Sequence, residues 1–325
     1  MDLSDKLQPC DAPVSYPLHV TIGLTSSCTL DCVYCYAQPF NGAMIPIDEA
    51  KGLIKSLYDK GVFIIKIGGG EPFLHPEIFQ LLDFIAENRI PVAILSNGTQ
   101  PTKDNLDRLS KLLLAHPFIN YQISLDSVYP EENDVTRGQT NLVLDNISYL
   151  SEKGVPLQIA TVISNQNIHS VEKLIEYFFP RVRKYHFMNI MPTPKALPGF
   201  KKLCPSPQDL EEFWSKRVRY FKKRFGAQLV LTAESHIQDE FQGGETAAVG
   251  SCCIPGCLAA ATFIDIDANL DVLACNCANT FRLGNLRYNT LQEIWDSPVA
   301  CRTRAIPIPL CQLYAKAAIA NEAAQ

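Results

Sequence analysis

The sequence predicts an α/β fold built on a parallel sheet. Two observations carry this. Between residues 17 and 192, short apolar, β-branched runs alternate with longer stretches of helical periodicity. Several helical stretches then end on turn chemistry, such as Lys60-Gly61 and Lys153-Gly154. The candidate strands are residues 18–24, 62–67, 92–95, 119–125, 157–163 and 185–190, and the candidate helices 46–59, 76–88, 102–115, 140–153 and 168–178. Such alternation implies right-handed crossovers between parallel neighbours. Six strands are too few for a closed eight-stranded barrel.

At 325 residues the chain is long enough for one large domain and a smaller one, and 47% hydrophobic residues can fill a sizeable core. A net charge of −5 gives no reason to expect a nucleic-acid partner. The start, Met1-Asp2-Leu3-Ser4-Asp5-Lys6, lacks the basic-then-apolar order of a signal peptide. No apolar stretch reaches the ~18 residues of a membrane span. A cytoplasmic, reducing location follows, where twelve cysteines point to metal ligation rather than disulfides. Residues 1–16 read as a polar N-terminal arm in which Cys10 is an incidental thiol.

The chemistry centres on Cys28-Thr29-Leu30-Asp31-Cys32-Val33-Tyr34-Cys35, directly after the first candidate strand. Thiolates are the usual ligands of iron–sulfur clusters, and three on one loop can hold three irons of a [4Fe–4S] cube. The fourth iron is then open to a small molecule. Structural zinc competes, but zinc sites favour C-x2-C knuckles and four ligands. The second motif, Gly68-Gly69-Gly70-Glu71-Pro72, ends the second strand, where glycines let backbone approach a neighbour closely. Small polar groups also end the next three strands: Leu95-Ser96-Asn97-Gly98-Thr99, then Ser124-Leu125-Asp126-Ser127 with Asp134-Val135-Thr136-Arg137-Gly138, then Ala160-Thr161-Val162-Ile163-Ser164-Asn165.

In this order the motifs resemble the radical S-adenosylmethionine (SAM) superfamily, and its peptide-modifying branch in particular. The resemblance implies a partial (β/α)6 TIM-like barrel, open on one side, with function at the C-terminal ends of the strands. It implies a cluster on Cys28, Cys32 and Cys35 with SAM at the open iron. It places SAM contacts at Tyr34, Gly69, Gly70, Glu71, Pro72, Asn97, Ser124, Asp126, Arg137 and Thr161. A bulky residue at Gly70 should then block SAM while leaving the iron of the first site near normal. One-electron cleavage of SAM gives methionine and a 5′-deoxyadenosyl radical, which takes a hydrogen atom from the substrate.

Residues 193–250 read as a bridge, broken by Pro192, Pro194, Pro198, Pro205 and Pro207. Within it, 209–225 is an amphipathic helix with Leu210, Phe213, Trp214, Val218, Phe221 and Phe225 on one face. Lys216, Arg217, Arg219, Lys222, Lys223 and Arg224 lie on the other, either a solvated face or a docking surface for an acidic peptide. Residues 251–325 hold seven cysteines: Cys252, Cys253, Cys257, Cys275, Cys277, Cys301 and Cys311. A hairpin turning near Asp267-Ala268-Asn269 and a short helix at 290–296 resemble the SPASM or twitch extension, which carries auxiliary [4Fe–4S] clusters. The resemblance implies at least one such cluster on Cys257, Cys275 and Cys311. The fourth ligand is Cys253 or Cys252, ahead of Cys277 and Cys301, and zinc is the alternative metal.

Three function classes follow. The first is maturation of a ribosomally made precursor peptide by crosslinking, epimerisation or backbone excision. The second is oxidation or epimerisation of a small metabolite such as an aminocyclitol or sugar. The third, a non-enzymatic iron–sulfur or zinc protein, has no use for SAM-contacting strand ends. A peptide substrate would need the basic helix or a separate leader-binding protein, since the barrel pattern starts near residue 17. Reduction would need an external donor such as flavodoxin or ferredoxin. Cys204 is a candidate hydrogen donor for an epimerase and otherwise a structural thiol.

Overall fold

A computed structural model describes residues 14–37, 41–99, 102–233, 258–275, 281–306 and 310. Six β/α units open the chain: β1 (His19–Thr25), α1 (Ile47–Asp59), β2 (Ile64–Gly69), α2 (Ile78–Glu87), β3 (Val92–Ser96), α3 (Lys103–Ala115), β4 (Ile119–Ser124), α4 (Pro130–Thr136), α5 (Thr140–Glu152), β5 (Leu157–Ile163), α6 (Val171–Phe178) and β6 (Lys184–Asn189). Each strand pairs in parallel with the next. The helices cover the face that carries Val20, Ile22 and Leu24 of β1, which are fully buried with Ala50 and Ile54 of α1. The sequence pattern places all six strands and five of these helices; it misses α4. It also ends the second strand at residue 67, whereas β2 runs on through Gly69.

The bridge holds more structure than a helix between breaks. α7 (Phe200–Leu203) and α8 (Pro207–Glu212) lead through a π turn (Phe213–Arg217) into α9 (Val218–Phe225), and β7 (Val230–Ala233) adds a seventh parallel strand beside β6. Within the π turn, the consecutive side chains of Phe213 and Trp214 are both buried. Phe213 meets Phe187 of β6 edge-on at 5.7 Å between ring centres.

The C-terminal segment forms the expected hairpin, β8 (Phe263–Ile266) and β9 (Asp271–Leu273), followed by β10 (Arg282–Asn285), α10 (Leu291–Trp295) and α11 (Pro298–Arg304). Thr290 and Glu293 close a capping box at the start of α10. β8 forms a parallel ladder with β1, Thr21 opposite Asp265, so the hairpin continues the barrel's own sheet. The described strands make one sheet in the order β10-β9-β8-β1-β2-β3-β4-β5-β6-β7, with an edge at each end.

This sheet curls. Lys66 on β2 and His186 on β6 are separated by β3, β4 and β5, roughly 19 Å in a flat sheet. Yet the Lys66 charge is felt by both His186 and His19 of β1. The side turned away from the helices is therefore a polar lumen, in which His186 Nδ1 and Gln158 Nε2 meet Thr232 Oγ1 at 2.9 and 3.1 Å.

Burial, and then the Lys66 charge, lowers His19 from 6.5 to about 3 and His186 to about 4. Both imidazoles fold neutral, so the unfolded chain takes up protons first as pH falls. The stability they contribute is present above pH 6.5 and is lost as pH falls from about 6.5 through about 4 for His186 and about 3 for His19. We expect the urea midpoint to fall across that window and the His186→Gln variant to show a shallower fall. An equal slope in both proteins would refute the assignment.

Candidate functional site

The cysteine loop leaves the C-terminal end of β1 and is seated there by backbone. Gly70 N donates to Thr25 O and Glu71 N to Ser27 O, both at 2.7 Å. Gly69 holds a φ of +111°, and a Cβ there would lie 2.5 Å from Thr25 O. A Cβ on Gly70 would fall on the Ser27 carbonyl. Gly68 has room, with its nearest neighbour, the Leu95 side chain, at 3.5 Å. The glycines at 69 and 70 thus let β2 close on the root of the cysteine loop. A bulky side chain at Gly70 would therefore press on the cysteine loop itself, so iron is expected to fall together with SAM.

Glu71 is fully buried. Its carboxylate accepts from Ser96 Oγ at 2.9 Å, Asn97 N at 2.7 Å and Phe73 N at 3.1 Å, and burial still raises its pKa to about 7. The side chain holds the end of β3 against the glycine turn, which Pro72 continues as a buried residue. From the end of β3, Asn97 Nδ2 donates to Thr29 Oγ1 at 3.2 Å and Cys28 Sγ at 3.5 Å. Leu30 N reaches the same sulfur at 3.5 Å.

The far flank of the loop is held by a buried ionic hub. Asp126, 1% exposed, accepts from Tyr34 Oη, from Thr136 Oγ1 at 3.1 Å and from Val162 N at 2.9 Å. Arg137 Nε lies 2.9 Å away as an ion pair without hydrogen-bond alignment, and its guanidinium sits 5.3 Å from the Tyr34 ring centre. Burial opposes the Arg137 charge, but Asp126, Tyr34 and Cys32 raise its pKa above the ordinary value. Burial likewise raises the Tyr34 phenol. Ser124 ends β4 opposite Ala160, and Thr161 Oγ1 donates to Leu125 O at 2.8 Å.

Several residues in this framework carry no sequence signal. Asn133 and Asn167 fix the Asp126 backbone by bonds of 2.9 Å each to its N–H and carbonyl. Thr193 donates to Tyr34 O at 3.2 Å. Lys195 bonds the Asp31 carbonyl at 3.0 Å and its carboxylate, across 164 positions of sequence. A spacing rule cannot see such contacts.

The three thiols are partly exposed. Burial raises all of them, Cys35 to about 11, and the Cys32 charge is felt by both Cys28 and Cys35. Among the described residues, no three Cys, His, Asp or Glu side chains converge on a single-ion site. Three thiolates on one loop suit a cluster with one thiolate per iron. The residues present fit such a cluster. Cys204 packs with Met188, Phe200 and Leu203 in an apolar group that includes Cys32, Val33, Tyr34, Val162 and Ile190. A cavity of about 260 Å³ opens between the glycine turn and the C-terminal hairpin, lined in part by Thr21, Gly23, Gly70, Asp265 and Arg282. Cys275 is buried just past β9, and Cys301 lies on α11. Cys10, Cys252, Cys253, Cys257, Cys277 and Cys311 lie outside the described residues.

A cysteine loop at the mouth of a partial parallel barrel, with a glycine turn beside it, fits an iron–sulfur protein. The family models agree: residues 22–178 match the radical SAM superfamily, and residues 257–313 match the SPASM iron–sulfur cluster-binding domain. Residues 22–178 thus form a radical SAM domain and residues 257–313 an SPASM domain, and these domains imply SAM, a [4Fe–4S] cluster and auxiliary clusters as cofactors.

It is similar to the subtilosin biosynthesis protein AlbA of Bacillus subtilis, 31% identical over 169 residues, or 49% of this chain and 36% of that protein. The chain therefore spans about a third of AlbA. The mycofactocin maturase MftC of Mycobacterium tuberculosis is 26% identical over 295 residues, 86% of this chain and 71% of the relative. The AdoMet-dependent heme synthase of Methanosarcina barkeri is 25% identical over 304 residues, 88% and 84%. Among solved structures, Streptococcus suis SuiB bound to precursor peptide SuiA superposes with a TM-score of 0.75 at 20% identity, covering 90% of this chain and 68% of SuiB.

Two outcomes test this geometry. Gly70→Val should lose iron from the first site after anaerobic reconstitution, while Gly68→Ala keeps it; equal iron in both would contradict the packing role. Asp126→Ala should destabilise the fold by about 3–5 kcal/mol in chemical denaturation, because it strands the buried Arg137 charge. A change below about 1 kcal/mol, the scale of an exposed ion pair, would show that the hub carries little.

Proposed function

We propose that this enzyme matures a ribosomally made precursor peptide, taking a hydrogen atom from it at the mouth of the barrel. The observation that carries the reading is the cysteine loop at the open mouth, in a chain 31% identical over half its length to a bacteriocin biosynthesis protein. The match to a mycofactocin maturase and the fold shared with a peptide-bound SuiB support it. A sheet with two edges leaves lateral room for an extended substrate.

In this reading Cys28, Cys32 and Cys35 hold the first cluster, and Cys257, Cys275, Cys311 and either Cys253 or Cys252 hold an auxiliary one. Bound there, the first cluster and SAM supply reductive cleavage to methionine and a 5′-deoxyadenosyl radical. The protein's part is positional. Asn97 and Leu30 aim N–H groups at Cys28, Asp126 and Thr193 fix Tyr34, and the backbone beside Gly69 and Gly70 faces the cavity. Tyr34, Asn97, Ser124, Arg137 and Thr161 line the strand ends where SAM would lie. Val162, Ile190 and Ala196 keep water from the radical's side of the loop. In this reading Cys204, packed in that apolar group, would return a hydrogen atom if the reaction is epimerisation. The electron comes from an external carrier of the flavodoxin or ferredoxin class, and a separate leader-binding protein can present the peptide. Among the described residues no helix is long and apolar enough to cross a membrane. A small-molecule reaction is the second reading, favoured by the heme synthase match over 88% of the chain.

The triple variant Cys28→Ala, Cys32→Ala, Cys35→Ala, reconstituted anaerobically, should make no 5′-deoxyadenosine above background; undiminished production would sink the assignment. The wild-type enzyme, reduced and given SAM with a precursor peptide encoded nearby, should change that peptide. Loss of two hydrogens indicates crosslinking or oxidation, no mass change with deuterium uptake from heavy water indicates epimerisation, and a larger loss indicates excision. An unchanged peptide beside an oxidised small metabolite would overturn the peptide reading.

A further inference from the structure

The helical run from Pro207 to Phe225 sorts five of its six basic residues into two groups. Arg217 donates to the carbonyls of Ile168 and His169, the latter at 3.0 Å. Arg224 pairs with Glu172 and, at 2.5 Å, with Glu176 of α6. These two arginines fasten α9 to the barrel. Lys216, Arg219 and Lys223 are exposed and stand at i, i+3 and i+7, with Tyr220 at i+4, so they share one stripe. Among the described residues none of the three cations meets a carboxylate. The Tyr220 ring, 49% exposed, adds an apolar contact in their midst.

The opposite face is already used. Phe213, Trp214, Val218 and Phe221 are all buried, which leaves the helix no apolar side to lay on a bilayer. A polynucleotide long enough to bind would run on over a chain of net charge −5, whereas a short acidic segment can meet the stripe alone. The stripe also begins beside the reactive mouth. Trp214, two residues before Lys216, bonds Asn189 at the C-terminal end of β6 at 3.0 Å. From Lys216 to Lys223 the stripe runs about 10 Å, which about three or four extended residues would span.

We propose that Lys216, Arg219, Tyr220 and Lys223 dock an acidic segment of the peptide substrate, outside the part that reacts. The proposal rests on the peptide reading above. It names the recognised chemistry, carboxylates spaced along a few residues with an apolar side chain for Tyr220, and it places the anchor beside the mouth.

The test is fluorescence anisotropy with a labelled, acetylated peptide of alternating glutamate and leucine, at low and at physiological salt. The wild type should bind and weaken as salt rises, since exposed charges are screened over about 8 Å at 0.15 M. The variant Lys216→Glu, Arg219→Glu, Lys223→Glu should bind about tenfold or more weakly at low salt, the scale of three exposed ion pairs, and should melt like the wild type by circular dichroism. A control reversing Lys60, Lys103 and Lys111, exposed on other helices, should stay near wild type. Equal loss in both variants, or no loss in the first, would overturn the proposal. So would tighter binding of a labelled DNA duplex abolished by the first variant. Because no turnover is measured, failure here with a precursor peptide still modified removes the docking surface alone; the peptide reading stands or falls on the mass experiment.

Discussion

The site depends on one close approach of backbone to backbone. Where β2 ends, Gly69 and Gly70 lie so near Thr25 and Ser27 that no side chain fits between them. The contact fixes where the cysteine loop starts and turns the chain so that Glu71 drops into the interior. A family motif best known for meeting a cofactor is here first a packing device. Its backbone borders the cavity because its missing side chains let two strand ends close.

Buried polar groups then set the loop's orientation. Glu71 works from one flank through β3, and Asp126 from the other through β4, α4 and β5. The two carboxylates meet different fates. Glu71 has neutral donors only, and burial lifts it to about 7. Its folded pKa exceeds the unfolded 4.5, so the stability it contributes is present below pH 4.5 and is lost as pH rises through about 7. Asp126 faces a guanidinium, and removing either partner would leave a charge without water or counter-ion. Such networks specify one arrangement because partial satisfaction is expensive.

The C-terminal hairpin belongs to the same architecture. β8 lies on β1 in parallel, so the segment that carries the SPASM match forms one wall of the cavity whose other wall is the glycine turn. On the opposite edge, β7 lengthens the sheet, and the helical run before it clasps α6 through Arg224 and the loop ahead of α6 through Arg217. The first strand is thereby buried between neighbours on both sides, which suits the element that carries the cysteine loop.

The sequence alone determined the parts that short-range pattern encodes. Alternating apolar periodicity marks the six strands of the barrel, and the thiol spacing from Cys28 to Cys35 marks the cluster loop, because each is a local constraint within a few residues. The hairpin at 267–269 and the short helix beginning at 290 are legible for the same reason. Tertiary structure decided what depends on distant partners. The inward turn of Glu71 needs Ser96 and Asn97, and the clasp of Lys195 on Asp31 needs a loop that returns after β6. The amphipathic helix at 209–225 shows the boundary within one element. Its apolar face is readable from periodicity, but the division of its cations was settled only when the packing of α9 brought Glu172 and Glu176 of α6 to Arg224 and left Lys216, Arg219 and Lys223 facing water.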